Sequence, residues 1–484
     1  MSWQSTILAF LLGLEKALIG YVIAIDGIQL TLLVLGWALL RRRQELSTGD
    51  RDVLMRSPLM PPISILAPAY NESASIIEST RATLTLNYPN YEVIVINDGS
   101  KDDTLQVLVD EFRLVKTSRV PTGPLVTKAV RCVYESRDPI RLFVIDKANG
   151  GKADALNVGL NYARTPLVAA VDSDSLLEPD ALFPAVKPFM DAPELTVAVG
   201  GMVRAVNGCD IAAGQVTRMT APPSFIALFQ SMEYLRAFLG ARLGLSFMNA
   251  LLIISGAFGV FRRDIVLEIG GFRADTVGED MELVVRLHHH LRAQGRRYQI
   301  PFVAQPVCWT EVPESWKVLA RQRNRWQRGA LDSLWFHRSV LFNRKFGTVG
   351  LFAIPYFLFF EVLAPVAELL GYVLIPLELW LGRISPEVAV GFLTLAVLFG
   401  VVLSVGGVVL DLMTTRQHPT VRDVLRLFGA GVIENFGPRQ AIAMWRLKGL
   451  YDWIRGNQSW GAMERRGFGG GTSRPATAGD AAGA

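Results

Sequence analysis

Residues 17–40 supply 24 consecutive, largely apolar positions, and the triplet Arg41-Arg42-Arg43 follows without a break. As a helix this stretch is about 36 Å long against a hydrocarbon core of roughly 30 Å, so it can cross a bilayer. Arginines beside a span stay on the cytoplasmic side. Met1 to Gly20 has neither a basic start nor a clear small-residue cleavage site, so the stretch reads as an uncleaved anchor with its N-terminus outward. Two further apolar stretches, residues 348–382 and 387–411, flank the polar link Gly382-Arg383-Ile384-Ser385-Pro386 and read as an outward hairpin. Arg416, Arg422 and Arg426 then return the chain to the cytoplasm. Three spans are expected, four if the longer stretch breaks at Pro365.

Between the apolar ends, residues 50–215 mix charge, glycine and short apolar runs, as an α/β domain does. The expected organisation is a membrane anchor at 1–45 and a cytoplasmic domain at 52–345 that includes interfacial helices. Transmembrane helices at 346–415, cytoplasmic interfacial helices at 416–466 and a tail at 467–484 follow. The tail is rich in Gly, Ala, Ser and Thr, cannot bury a core, and is expected to be disordered. Residues 226–250 and 420–455 are apolar but interrupted by charge, which suits helices lying in the membrane interface, with buried helices as the alternative. Net charge is only +5, and Arg321, Arg323, Arg325 and Arg328 lie just before an apolar stretch. That is positive-inside bias and argues against a nucleic-acid partner. Cys132, Cys209 and Cys308 are too scattered for a disulfide framework or a metal-ligand spacing.

β-rich runs at Ile63 to Ala67, Glu92 to Ile96, Ala129 to Tyr134, Leu142 to Ile145 and Leu167 to Val171 alternate with helical patterns. Those patterns cover Ser73 to Leu84, Asp102 to Val115 and Lys152 to Ala163. This order predicts a mostly parallel sheet covered by helices, with ligands beyond the strands' carboxyl ends. Three of those ends finish in polar groups: Tyr70-Asn71-Glu72, Asp98-Gly99-Ser100 and Asp172-Ser173-Asp174. Alternate residues leaving a strand aim Asp172 and Asp174 at one small volume. Like charges so close require a cation, and hard oxygen ligands with room for phosphates suit Mg²⁺ or Mn²⁺. A helix cap explains one of these aspartates, not both. Three adjacent histidines, His288 to His290, point in different directions on a helix and read as a solvated face, not a metal cluster. Asp26, Glu361 and Glu368 fall within apolar spans, where they suit either a polar interior or the headgroup level.

Six ordered motifs carry a family resemblance: Pro68-Ala69-Tyr70-Asn71-Glu72, Asn97-Asp98-Gly99-Ser100, Gly150-Gly151-Lys152-Ala153-Asp154-Ala155-Leu156-Asn157, Asp172-Ser173-Asp174, Gly278-Glu279-Asp280 and Gln322-Arg323-Asn324-Arg325-Trp326. Over roughly residues 60–460 the chain resembles the processive membrane family 2 glycosyltransferases, which include cellulose, hyaluronan, chitin and poly-N-acetylglucosamine synthases. The resemblance implies a GT-A-type nucleotide-sugar-binding domain of α/β class, joined to transmembrane and interfacial helices. It implies that Tyr70, Glu72 and Asp98 hold the uridine end of a UDP-sugar, that Asp172 and Asp174 meet phosphate and metal, and that Lys152 touches the diphosphate. Asp280 is the expected general base, because an attacking hydroxyl must lose its proton and a carboxylate can take it. Glu279 is the neighbouring competitor and is placed on the acceptor side. Alternatively, both acids merely favour a helix N-terminus. Arg325 is expected at the diphosphate, with Gln322 and Trp326 at the sugar acceptor. Lipid-headgroup anchoring is the plainer reading of that Arg/Trp pair.

What the resemblance implies is inverting transfer of sugar to a growing β-linked glycan at the inner membrane, with the catalytic domain cytoplasmic. Asp-Ser-Asp favours UDP-N-acetylglucosamine slightly over UDP-glucose. A glycan acceptor, the lipid bilayer and a secretion or regulatory subunit are the implied partners. The rival readings are a non-processive lipid glycosyltransferase and a non-catalytic transporter subunit or receptor.

Overall fold

The computed structural model describes residues 3–42, 53–55, 57, 60–138, 140–212, 214–415 and 420–457. The tail expected at 467–484, Arg43 and Arg416 lie outside the described residues.

The strands are β1 Ile63–Ala69, β2 Tyr91–Asn97, β3 Leu114–Thr117, β4 Val130–Ser136, β5 Leu142–Lys147, β6 Leu167–Val171, β7 Ser175–Leu177, β8 Ala198–Ala205, β9 Asp210–Ala212, β10 Gln215–Arg218, β11 Phe258–Arg262 and β12 Phe302–Thr310. All but the β9–β10 pair form one sheet in the order β3-β4-β5-β2-β1-β6-β11-β8-β12-β7. Ile63, Ile65 and Leu66 of β1 and Val93 to Ile96 of β2 are at most 1% exposed. Such unbroken apolar runs are what a strand covered on both faces requires, and they explain why the central run β5-β2-β1-β6 is parallel. Parallel neighbours need crossovers, supplied by helices Ile76–Leu84 and Lys152–Tyr162 among others. The sheet is mixed beyond this centre. β11 lies antiparallel between β6 and β8, and β7 lies antiparallel on β12.

The helix expected over 102–115 is shorter, Thr104–Glu111, because Arg113 turns into the left-handed region at φ 48° and Leu114 then pairs with Ser136 in β3–β4. One consequence of the topology matters for function. The carboxyl ends of β1, β2, β5, β6, β8 and β12 share an edge with the amino ends of β7 and β11.

Among the described residues, two helical stretches, Phe10–Arg42 and Pro386–Thr414, are long and apolar enough to cross a membrane. A third candidate is the pair Val349–Val362 and Ala364–Trp380, bent by 43° at Leu363. Pro365, next to the bend, has no N–H to give the carbonyl one turn earlier. That carbonyl, Glu361 O, accepts from Arg446 Nη2 instead, and Val362 O accepts from Gln327 Nε2 at 2.8 Å. Glu368 faces Arg439 at 3.4 Å. Helix Phe225–Leu235 runs through a π-helical turn, Arg236–Arg242, into Leu243–Phe247. It buries Phe229, Met232, Leu239 and Leu243, so the buried-helix alternative accounts for its apolar face.

The reading of His288 as solvated is corrected by the structure. It is wholly buried, with Nε2 2.8 Å from the Leu251 carbonyl and Nδ1 2.5 Å from the Tyr298 hydroxyl. A carbonyl only accepts, so Nε2 carries the proton and Nδ1 accepts from Tyr298. Helical periodicity puts one residue of any consecutive triplet toward the core, and here it is this one. Burial pushes the imidazole down to about 4, with Arg292 adding to the effect. Below pH 6.5 the unfolded chain therefore takes up a proton that the folded chain refuses. Stability is expected to fall by about 3 kcal/mol as pH drops from 6.5 to 4. His288→Gln should remove most of that dependence, read as the denaturation midpoint at pH 5 against pH 7.

Candidate active site

The loops leaving β1 and β2 are sewn together. Asn71, at φ 56°, takes a hydrogen bond from Lys101 N at 2.8 Å, and its own N–H donates to Ser100 Oγ at 3.0 Å. Glu72 N donates to Thr104 Oγ1 at 2.9 Å, while the Glu72 carboxylate accepts from Ser75 Oγ at 3.0 Å and is buried. Tyr70 is 43% exposed and stands at the open edge.

Asp98 is only 3% exposed, and its carboxylate is engaged from within. It pairs with Lys147 Nζ and accepts from Gly150 N at 2.9 Å and Gly151 N at 2.7 Å. The helix beginning at Lys152 thus has a resident anion at its N-terminus, where backbone N–H groups and the helix dipole favour one. Gly151 sits at φ 86°, a conformation that strains any side-chain-bearing residue. Lys147 was missed in the sequence. It is fully buried and also meets Asp154 at 2.7 Å. Its signal was an Asp-Lys pair ending an apolar run, just before the glycines.

Lys152 gathers the remaining acids. Its Nζ lies 2.5 Å from Asp172 and 3.5 Å from Glu279. It also lies 3.4 Å from the Gly256 carbonyl. The N–H of Gly256 donates to Asp280 Oδ2 at 3.1 Å. Strand β11 delivers this glycine because Phe258 pairs with Val171, next to Asp172. Burial alone would pull the Lys152 ammonium down, but Asp172 and Glu279 outweigh it and hold the group above the usual lysine range. Burial pushes the Glu279 carboxyl up, opposed by Lys152 and reinforced by Asp280. Both acids open the helix Glu279–Ala293, as the helix-terminus alternative requires, yet they converge on the lysine as well.

Asp174 is buried beside this cluster. Among the described residues no three His, Cys, Asp or Glu side chains would hold a metal by themselves. Asp172 and Asp174 fit a cation that takes its other ligands from phosphate oxygens and water, the usual coordination of Mg²⁺. Lys152 is the resident cation that already offsets part of their charge.

The Gln322-to-Trp326 motif lies on helix Trp316–Phe336, capped by Ser315, whose Oγ accepts from Val318 N. Gln322 is buried, and its Oε1 has no hydrogen-bond partner among the described residues. Trp326 is 42% exposed, with the Arg323 guanidinium 4.3 Å from its ring centre. Arg323 in turn pairs with Glu233 at 2.6 Å. The helix also approaches the turn just before Glu279. The close approach comes from two glycines: a Cβ on Gly329 would stand 2.7 Å from Gly278 Cα, and one on Gly278 equally close to Gly329 Cα. Backbone cannot yield as a flexible side chain does. Gly329→Ala is expected to destabilise the protein by about 1–3 kcal/mol, the usual range for overpacking, and to lower turnover by pushing the helix Trp316–Phe336 away from Gly278, which precedes Glu279 and Asp280. Thermal midpoint and initial rate check this together.

Residues 64–270, which carry Asp98, Lys152 and Asp172-x-Asp174, match the family described as Glycosyl transferase family 2. They are a family 2 glycosyl transferase domain. Residues 276–466, from the Glu279-Asp280 pair through the last described helices, match the family described as Chitin synthase. The chain is similar to the poly-beta-1,6-N-acetyl-D-glucosamine synthase of Staphylococcus epidermidis, 27% identical over 287 residues, or 59% of each chain. It is also similar to that of Staphylococcus aureus, 28% identical over 300 residues, 62% of this chain and 60% of the other. The match thus spans about three-fifths of the length of these relatives. The fold of the family 2 domain and its helices is shared with a mannosyltransferase from Pyrobaculum calidifontis in complex with GDP-Man and Mn²⁺. That likeness has a TM-score of 0.51 at 17% identity and covers 87% of this chain and 99% of the other. The fold is therefore of the GT-A type, with α-helical additions.

Proposed function

We propose that this chain is an inverting, processive glycosyltransferase that moves sugar from a UDP-sugar to a growing β-linked polysaccharide at the cytoplasmic face of a membrane. The observation that carries the reading is the convergence of Asp172, Glu279 and Asp280 around Lys152 and Gly256, with the Trp326 helix packed against it. The names of the relatives and the Asp-Ser-Asp motif favour UDP-N-acetylglucosamine over UDP-glucose. Tyr70 and Glu72 line the nucleoside end, while Asp98 shapes it by holding Gly150 and Gly151.

Asp172 and Asp174 would hold Mg²⁺ or Mn²⁺, whose charge offsets that of the leaving diphosphate. Lys152 and Arg325 add fixed positive charge on the same side. Asp280, oriented by the Gly256 N–H, takes the proton of the attacking hydroxyl. Trp326 offers an aromatic surface for the terminal sugar, and the unpartnered Gln322 Oε1 an acceptor for a hydroxyl. The same reading makes the chain a multi-pass inner-membrane protein with room for a secretion or regulatory subunit.

The test is UDP release and product size with protein in lipid nanodiscs, given UDP-N-acetylglucosamine or UDP-glucose with Mg²⁺ or Mn²⁺. A ladder of polymer from one donor is expected. A single sugar on lipid would make the enzyme non-processive, and no release from either donor would count against the reading.

A further inference from the structure

The short strand β7 begins one residue after Asp174, lies last in the sheet order, and has its ladder with β12. Leu176 pairs with Trp309, and Trp309 pairs on its other side with Arg204 of β8. Glu178, just past β7, accepts the Trp309 indole N–H at 2.5 Å. Arg204 stands 5.7 Å over the Trp309 ring, and its guanidinium leaves the sheet to pair with Asp411 and Thr415, at the end of the span Pro386–Thr414. Arg204 is 7% exposed and Asp411 5%. A buried pair is weak evidence of stability, since desolvation opposes the attraction, and its better attested use is to fix register. The register fixed here is between a membrane helix and β8, which is joined through β12 to β7, the strand that follows the acidic loop.

We propose that Arg204 is a positioning residue: through Trp309 and Glu178 it ties the Asp172-x-Asp174 loop to the last turn of the membrane helix Pro386–Thr414, at Asp411. The position of that helix then sets how well the loop receives metal and diphosphate. The second half of this statement rests on the glycosyltransferase reading above, and the first half does not.

Two measurements on the full chain in nanodiscs separate these halves. Hydrogen exchange of the 172–178 amides is expected to rise at least fivefold in Asp411→Asn, with β1 and β2 unchanged. Arg204→Gln should match it, and Arg204→Lys should restore most of the protection. Calorimetric titration with UDP and Mn²⁺ is expected to show about tenfold weaker binding in Asp411→Asn. Unchanged exchange at 172–178 would overturn the linkage whatever the enzyme does. Raised exchange with binding unchanged within twofold would overturn the control of metal and diphosphate by the helix. A general fall in protection across β1 and β2 would make the pair a plain stability element and overturn the proposal.

Discussion

Asp280→Asn is expected to lower the rate of sugar transfer by about a hundred- to ten-thousand-fold, the range over which a positioned general base contributes, while nucleotide binding stays within a few-fold. Both oxygens of Asp280 are already oriented: Oδ2 by the N–H of Gly256 at 3.1 Å and Oδ1 by the N–H of Met281 at 2.8 Å. An amide of the same shape keeps one of these bonds and turns a donor toward the other, so the loop stays while proton acceptance is lost. Glu279 is the control. It is buried with its carboxylate 3.5 Å from the Lys152 ammonium, so it is engaged by that cation and stands further from solvent than Asp280. Glu279→Gln should cost less than Asp280→Asn in single-turnover rate. The reverse order would move the base to Glu279.

Lys152→Met is expected to reduce turnover about a hundredfold or more. The ammonium is the resident cation between Asp172 and Glu279, and without it two acids face each other in a buried place. Glu279 would then bind its proton more tightly, so the rate of the variant should recover only toward higher pH. Lys152→Arg should not rescue it. The Lys152 ammonium sits 2.5 Å from Asp172, 3.4 Å from the Gly256 carbonyl and 3.5 Å from Glu279, a point-charge arrangement at which Lys and Arg are not interchangeable. The pH–rate profile of all three proteins decides this. A Lys152→Met profile that coincides with the parent would remove Lys152 from the chemistry.

Much of the site could be read in the sequence because it sits where local pattern ends. Tyr70, Asp98 and Asp172 each follow an apolar run that could only be a buried strand, and the edge they share follows from parallel order. What stayed hidden depends on partners far along the chain. Nothing near Asp98 announces that Lys147, Gly150 and Gly151 satisfy its carboxylate. No local feature marks 258–262 as an antiparallel strand delivering Gly256 to both Lys152 and Asp280. His288 was misread because its partners, Leu251 and Tyr298, come from other elements. Pairings of this kind are set by topology, which single-residue patterns do not encode.

The kink at Pro365 bears on how such a protein can be divided. The carbonyls it frees are received by Gln327, on the helix of Trp326, and by Arg446, which also donates to Gln327 at 2.9 Å. A polypeptide severed at residue 345 would leave the buried Gln327 with neither partner, at a cost of about 1–3 kcal/mol for each unsatisfied group. The lipid-embedded half is thus no detachable anchor. Deleting it to obtain a water-soluble fragment would dismantle the packing that holds the helix of Trp326, and transplanting the glycosyltransferase half onto foreign helices would require carrying this carbonyl pair along with it.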